Sequence, residues 1–132
     1  MLARMAAPAP GKLILVVDDD RTVRTMVRQA LETKGYEVME AADGLQASEL
    51  FGKLTRVPSL LICDVMMPSM DGFSLAKIVR AKKELSSMPI IFLTAKTNPL
   101  DVVKGIQAGA RHYVTKPFSV KDLLAKVDKM LG

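Results

Sequence analysis

Short apolar runs alternate with helical patterns along this chain, and four of the runs stop at polar side chains. The run 60–63 has no helical period and ends at Asp64, with Pro68 and Gly72 soon after, which is typical of a buried strand leading into a turn. Three further strand candidates, 12–17, 89–93 and 111–115, also end at polar residues and lead into helical patterns. This order favours a parallel sheet with helices on both faces.

The polar residues that end these runs are predicted to meet. Parallel strands place their carboxyl ends along one edge of the sheet, where ligands of open sheets bind. The residues expected at that edge are Asp18, Asp19, Asp64, Thr94 and Lys116. Unit charges about 4 Å apart repel by roughly 4 kcal/mol at an effective dielectric constant of about 20, so the clustered aspartates need a cation. Carboxylates, a carbonyl and waters suit Mg²⁺, with Mn²⁺ as a substitute.

An aspartate at this edge can act as a nucleophile toward phosphorus and form an acyl phosphate. Phosphoryl transfer then needs alignment and charge neutralisation. In this scheme Asp64 attacks, Mg²⁺ and Lys116 neutralise the phosphoryl oxygens, and Thr94 donates a hydrogen bond. Taken singly, Asp64 also fits a turn and Thr94 a helix cap.

Helical spacing of apolar residues predicts helices at 21–34, 73–83, 100–108 and 120–131, and another that reaches about residue 54. An alternating segment at 36–40 predicts a strand at the sheet edge. Asp20 is expected to cap the first helix. The fourth helix is short and contains Gly105, so we expect it to be the least stable element.

Composition favours one cytoplasmic domain. The 132 residues are 49% hydrophobic, which fits a single domain, predicted at 12–132. Residues 1–11 carry alanines, two prolines and a glycine without a period, which predicts a disordered tail. No apolar run approaches the roughly 20 residues of a membrane span, so we expect no membrane insertion. Cys63 is the only cysteine and His112 the only histidine, which disfavours a thiolate or imidazole metal site. The net charge of +5 is spread without interleaved aromatics, so we expect no direct nucleic-acid binding.

Four motifs in order carry a family resemblance: V-V-D-D-D, I-C-D-V-M-M-P-S-M-D-G, L-T-A and Y-V-T-K-P-F. Over residues 12–131 the chain resembles the receiver domain of bacterial two-component response regulators, and most of all the stand-alone chemotaxis-type members. The resemblance implies an α/β fold, a doubly wound five-stranded parallel sheet of the flavodoxin-like order 2-1-3-4-5, which is the order of the chemotaxis receivers themselves.

The resemblance also implies residue roles and partners. A histidine kinase or phosphotransfer protein would phosphorylate the chain, which would catalyse only its own phosphorylation and dephosphorylation. A downstream protein target would bind the fourth helix, fifth strand and fifth helix. The implied roles are Asp64 as phosphoacceptor and metal ligand, Asp19 and the Met66 carbonyl as metal ligands, Asp18 as a ligand through water, Thr94, Lys116 and the Ala95 backbone as phosphate contacts, Thr94 and Tyr113 as switch pair, and Pro117 as a cis proline.

Two rival functions share parts of this pattern. A phosphatase or transferase with an aspartyl-phosphate intermediate would need a cap or pocket for its substrate, and the short predicted loops leave little room for one. A nucleotide-binding domain is disfavoured because no glycine-rich loop follows the first strand. Turnover of small phosphate esters or nucleotide-dependent melting would support these alternatives.

Overall fold

The computed structural model describes residues 11–95 and 98–131, in which strands and helices alternate. The strands are β1 Leu13–Val17, β2 Glu37–Ala41, β3 Leu60–Cys63, β4 Ile90–Thr94 and β5 His112–Thr115. The helices are α1 Arg21–Thr33, α2 Gly44–Phe51, α3 Gly72–Ala81, α4 Pro99–Gln107 and α5 Val120–Leu131. The helices and strands predicted from the sequence are all present, with ends that shift by a few residues.

All strands lie parallel in one sheet of order β2-β1-β3-β4-β5, which confirms the expected fold class and strand order. Val17 at the end of β1 pairs with Cys63 at the end of β3. The next residues, Asp18 and Asp64, therefore leave the sheet side by side. Thr94 pairs with Thr115 at the ends of β4 and β5, and Lys116 follows at the same edge.

Successive strand residues point to opposite sides of the sheet. Both faces of the sheet are apolar because both of these sets of residues are apolar. One face packs against α2 and α3 and the other against α1 and α5. The first cluster includes Leu15, Val17, Leu61, Cys63, Phe92, Ala47, Leu75 and Val79, and the second includes Ile14, Val16, Ile62, Leu93, Val27, Leu31, Leu123 and Val127. Strands covered on both sides need continuous apolar runs, as the sequence has.

Side-chain caps set where the helices begin. Asp20 caps α1, as predicted, by accepting hydrogen bonds from the amides of Thr22 and Val23. Asp43, Asp71 and Asn98 cap α2, α3 and α4 in the same way. The second helix ends at Phe51, earlier than predicted, because the Gly52 amide turns back to the Glu49 carbonyl at 3.2 Å.

The described residues begin at Gly11, which is held by a side chain from elsewhere in the fold. Of the predicted tail only Gly11 is described, and its carbonyl accepts a hydrogen bond of 3.0 Å from Arg56. Residues 1–10 and the last residue of the predicted domain lie outside the described residues. Among the helices of the described ranges, none has the length and apolar character that crossing a membrane requires.

A candidate phosphoryl-acceptor and metal site

Two carboxylates are buried at the carboxyl edge of the sheet. Asp18 is 2% exposed and Asp64 is 6% exposed. The Asp64 amide donates to the Val17 carbonyl at 2.9 Å, so the parallel ladder continues to Asp64 itself. A buried charge is costly unless it is paired and hydrogen-bonded, so the partners of these two groups decide what the site can do.

Asp18 is held through each of its polar groups. Its amide donates to the Ala41 carbonyl at 3.2 Å, and its own carbonyl accepts from Arg24 Nη1 at 2.8 Å. Its carboxylate accepts from the Asp20 amide at 2.8 Å and from Lys116 Nζ at 2.8 Å. Burial raises the pKa of Asp18 above its ordinary value, although the contacts with Lys116 and the Asp20 amide oppose that rise. The side chain is thereby fixed in one orientation.

Lys116 joins the two buried acids. Its Nζ lies 2.8 Å from Asp18 Oδ2 and 3.4 Å from Asp64 Oδ2. Burial acts to lower the pKa of Lys116, but the two carboxylates outweigh burial and the pKa is raised, so the amine stays charged at neutral pH. The other Asp64 oxygen, Oδ1, accepts from the Met66 amide at 3.2 Å. A positive charge therefore lies within 3.4 Å of Asp64 Oδ2, at the mouth of the carboxyl edge.

The aspartates also form a group suited to a cation. One carboxylate oxygen each from Asp18, Asp19 and Asp64 lies within 4.8 Å of the others. Asp19 is exposed and lines a cavity of about 460 Å³ together with Met66 and Asp71. Hard oxygen donors reachable from solvent match the needs of Mg²⁺, which keeps several waters. The residues present therefore fit the expected metal.

The loop after β3 packs back onto Asp64. The Gly72 amide donates to the Val65 carbonyl at 2.9 Å. A Cβ at Gly72 would lie 2.3 Å from the Asp64 carbonyl oxygen, a contact that no larger residue can make without moving the backbone. The sequence indicated only a turn here, and the close approach to Asp64 is a finding of the structure.

The remaining site residues lie on β4, on β5 and just after them. Thr94 is fully buried at the end of β4, and the exposed Ala95 follows it. Tyr113 pairs with Phe92 on the neighbouring strand, and their rings meet edge to face at 6.3 Å. The Lys116–Pro117 peptide bond is cis.

Two residues that the sequence analysis did not select shape this site. A Cβ at Gly105 on α4 would lie 2.7 Å from Tyr113 Cδ2, so the glycine makes room for the ring. Arg24 on α1 contacts the Asp18 carbonyl and the carboxylate of Glu40. Neither role has a local signal, because each depends on a partner distant in the chain.

The fold and the site together define a class of protein. Its members have an open parallel sheet with a buried pair of aspartates and a lysine at the carboxyl edge. The chain matches the family described as the response regulator receiver domain over residues 14–128. It therefore belongs to the response regulator receiver domain family, whose members are phosphorylation-activated switches of two-component signalling, and it has that class of function.

Relatives of two kinds are similar to the chain. It is 42% identical to the alkaline phosphatase synthesis transcriptional regulatory protein PhoP of Bacillus subtilis and 39% identical to the phosphate regulon transcriptional regulatory protein PhoB of Pseudomonas aeruginosa, over 92% of this chain in both cases. The alignments cover 49% and 52% of those proteins, so the chain spans about half the length of these curated relatives.

Solved structures agree in fold. The chemotaxis protein CheY4 of Vibrio cholerae is 36% identical, with a TM-score of 0.84 over 92% of this chain and 99% of that one. The receiver domain of the Francisella response regulator 1452 is 32% identical, with a TM-score of 0.81 over 92% of this chain and 97% of that one. The chain is thus similar to a chemotaxis protein and also to the longer regulators PhoP and PhoB.

Proposed function

We propose that Asp64 accepts a phosphoryl group from a histidine kinase or phosphotransfer protein in a reaction that requires Mg²⁺. The observation that carries this proposal is the buried Asp18–Lys116–Asp64 arrangement, with the exposed carboxylate of Asp19 beside it. An Asp64 carboxylate oxygen forms the new bond to phosphorus, and the bond from phosphorus to the donor nitrogen or oxygen breaks. The leaving group keeps the electron pair, and it takes a proton from water where it needs one.

The other site residues divide the remaining work. Asp19, Asp64 and the Met66 carbonyl would bind the metal directly and Asp18 through water, and the bound metal would supply positive charge for the phosphoryl oxygens. Lys116 would contribute a second positive charge. Thr94 and the Ala95 amide would donate hydrogen bonds to the phosphoryl oxygens. Phosphorylation and dephosphorylation of Asp64 are the only reactions that this proposal gives to the chain itself.

The readout would pass from Thr94 to α4. We propose that Thr94 and Tyr113 act as the switch pair and that a target protein binds the surface of α4, β5 and α5. Support comes from α4, which exposes Leu100, Val103 and Ile106 by 72%, 47% and 62%. Exposed apolar residues that share one helix face are typical of protein-binding sites. On α5, the exposed Lys121 and the half-buried Lys126 are candidate contacts at the rim.

The site of action and further partners are also proposals. We propose the cytoplasm, because Cys63 is a free and fully buried thiol, which fits a reducing compartment. We propose that the target is a protein and that the chain itself contacts no nucleic acid, since its cations are not interleaved with aromatics. The names of PhoP and PhoB describe transcriptional regulation by those longer proteins.

The test is covalent labelling with Mg²⁺ and acetyl phosphate. Intact mass should show one added phosphoryl group, stable in acid and labile in base, and a peptide map should locate it at Asp64. Asp64→Asn should show none. Asp20→Asn is the matched control, because it removes an acid from the same edge, keeps a capping residue and should label like the parent. Labelling of Asp64→Asn at the parent rate would show that the nucleophile is assigned wrongly.

A further inference from the structure

Arg24 links the peptide between Asp18 and Asp19 to β2, the outermost strand of the sheet. Its side chain is only 15% exposed. Nη1 donates to the Asp18 carbonyl at 2.8 Å, and Nε donates to Glu40 Oε1 at 3.2 Å. The Asp18 carbonyl belongs to the peptide unit that joins Asp18 to Asp19, so one guanidinium contacts the backbone between two of the three clustered carboxylates.

Glu40 keeps Arg24 in place from outside the site. It lies on β2, in register with Val16 of β1, and is absent from the aspartate cluster. Its second oxygen, Oε2, pairs with Arg28 Nε at 3.0 Å. A planar guanidinium with several fixed donors can hold two acceptors at once in a set geometry, which a lysine ammonium does less well. Arg28 shares this carboxylate, yet it makes no hydrogen bond to Asp18 among the described residues.

We infer that Arg24 is a positioning residue for the Mg²⁺ site, acting through the peptide between Asp18 and Asp19. With this peptide held, the two carboxylates start close to the arrangement in which they bind a cation, and less ordering is left for the binding step. Outer partners that orient metal ligands commonly change metal affinity by about 10-fold to 100-fold. The inference rests on the Mg²⁺ site proposed above and adds a residue from outside that site.

The charge of Arg24 acts in the opposite direction. A positive charge near clustered carboxylates repels a cation, so its removal should tighten Mg²⁺ binding if charge alone matters. Removal should weaken Mg²⁺ binding if positioning matters more. The sign of the change in dissociation constant therefore separates the two effects.

The experiment compares Arg24→Gln with Arg28→Gln in the full chain. Both variants remove one charge and one contact with Glu40, and only Arg24→Gln loses the contact with the Asp18 carbonyl. Calorimetric titration with Mg²⁺ should give a dissociation constant about tenfold higher than that of the parent for Arg24→Gln. The value for Arg28→Gln should be unchanged or lower. Arg24→Lys keeps the charge, and with it the repulsion, but loses the planar guanidinium that holds two acceptors at once, so its dissociation constant should also lie above that of the parent.

A second measurement needs no metal. The Asp20 amide donates to Asp18 Oδ1, so its hydrogen exchange reports the order of this loop. In metal-free protein this amide should exchange faster in Arg24→Gln than in Arg28→Gln. At saturating Mg²⁺, phosphorylation of Arg24→Gln by acetyl phosphate should return to near the parental rate.

The outcomes separate this inference from the proposed function. A parent protein that does not bind Mg²⁺ would overturn the proposed metal site and this inference with it. A parent that binds Mg²⁺, with Arg24→Gln binding as tightly as Arg28→Gln, would overturn only the role of Arg24. If thermal melting shows that Arg24→Gln does not fold, Arg24→Lys against Arg28→Lys gives the same comparison with the charge retained.

Discussion

The carboxyl edge of the sheet and the fourth helix are built in opposite ways. At the edge, Asp18 and Asp64 are buried, and backbone amides and Lys116 hold their carboxylates. The fourth helix exposes large apolar side chains to solvent and contains a glycine. The edge therefore suits chemistry that requires fixed atoms, and α4 suits a response that requires movement.

Two glycines show this difference in one residue type. At Gly72 an added Cβ would meet backbone atoms, first the Asp64 carbonyl oxygen at 2.3 Å, and these atoms cannot move without the site moving. At Gly105 an added Cβ would meet the edge of the Tyr113 ring, at 2.7 Å from Cδ2, and a side chain can rotate away. We infer that the first glycine fixes the site and that the second gives Tyr113, the proposed switch residue, room to move.

The far end of α4 is anchored. Arg80 on α3 donates to the carbonyls of Met88 at 2.7 Å, Ser86 at 3.1 Å and Gly109 at 2.9 Å. Gly109 follows α4 and has a φ of 90°, where a residue with a side chain would be strained. Since the carboxyl end of α4 is tied to α3, we expect phosphorylation to move the amino end of α4, at Pro99, which follows the carboxyl edge of the sheet.

The size of such a response is limited by what the phosphoryl group prefers. Moving a two-state element from 1:99 to 99:1 takes roughly 5.5 kcal/mol of preference for one state. Several charge-assisted hydrogen bonds to one phosphoryl group can supply much of this. The contact that carries the preference to α4 is the first to test.

Thr94→Ala should break the link between the two regions and have the largest effect. Asp64 should still accept phosphate, whereas the phosphorylation-dependent change in amide hydrogen exchange over residues 98–114 should mostly disappear. Thr115→Ala, at the end of the adjacent strand and exposed, is the control and should respond like the parent. An undiminished exchange change in Thr94→Ala, or none in the parent, would contradict this coupling.

Gly72→Ala should disturb the fixed region. The new methyl group has to displace the backbone next to Asp64, so we expect a loss of about 2–3 kcal/mol in the free energy of unfolding and slower phosphorylation. Urea unfolding and acetyl phosphate labelling measure the two effects. Gly52→Ala is the control, because its Cβ would meet only the Glu49 carbonyl oxygen at 3.5 Å. A Gly72→Ala protein as stable as Gly52→Ala would show that the loop is not rigid.

Mg²⁺ should stabilise the same region by relieving repulsion among the aspartates. A ligand at about 100 times its dissociation constant adds roughly 2.7 kcal/mol to the free energy of unfolding, so the melting temperature should rise. In Asp19→Ala that rise should shrink sharply, while Asp20→Asn should keep most of it. A full Mg²⁺ response in Asp19→Ala would place the metal elsewhere.

Gly105→Ala should have the smallest effect on stability. Alanine favours a helix over glycine by about 1 kcal/mol, and displacement of Tyr113 should offset much of that gain. We expect a net change within about 1 kcal/mol and a shifted Tyr113 ring signal in the NMR spectrum. A loss as large as that of Gly72→Ala would show that α4 and Tyr113 are packed as rigidly as the edge.

The sequence pattern is sufficient to predict which residues meet at the carboxyl edge of the sheet. Each strand pattern ends at a polar residue, and parallel strands put those ends together. The sequence therefore predicts Asp18, Asp19, Asp64, Thr94 and Lys116 as neighbours. The cap at Asp20 could also be predicted, because capping depends only on the few residues that follow the cap. The strand order came from the family resemblance, because periodicity does not say which strands are adjacent.

The support of the site comes from contacts between residues that are distant in the chain. Arg24 and Glu40 meet across the α1–β2 packing, and Gly72 and Gly105 owe their roles to atoms brought near by the fold. A local pattern reports backbone preference and burial, which depend on adjacent residues. Contacts between distant residues depend on strand register and helix placement, so residues of ordinary local appearance acquire their functions only in the folded chain.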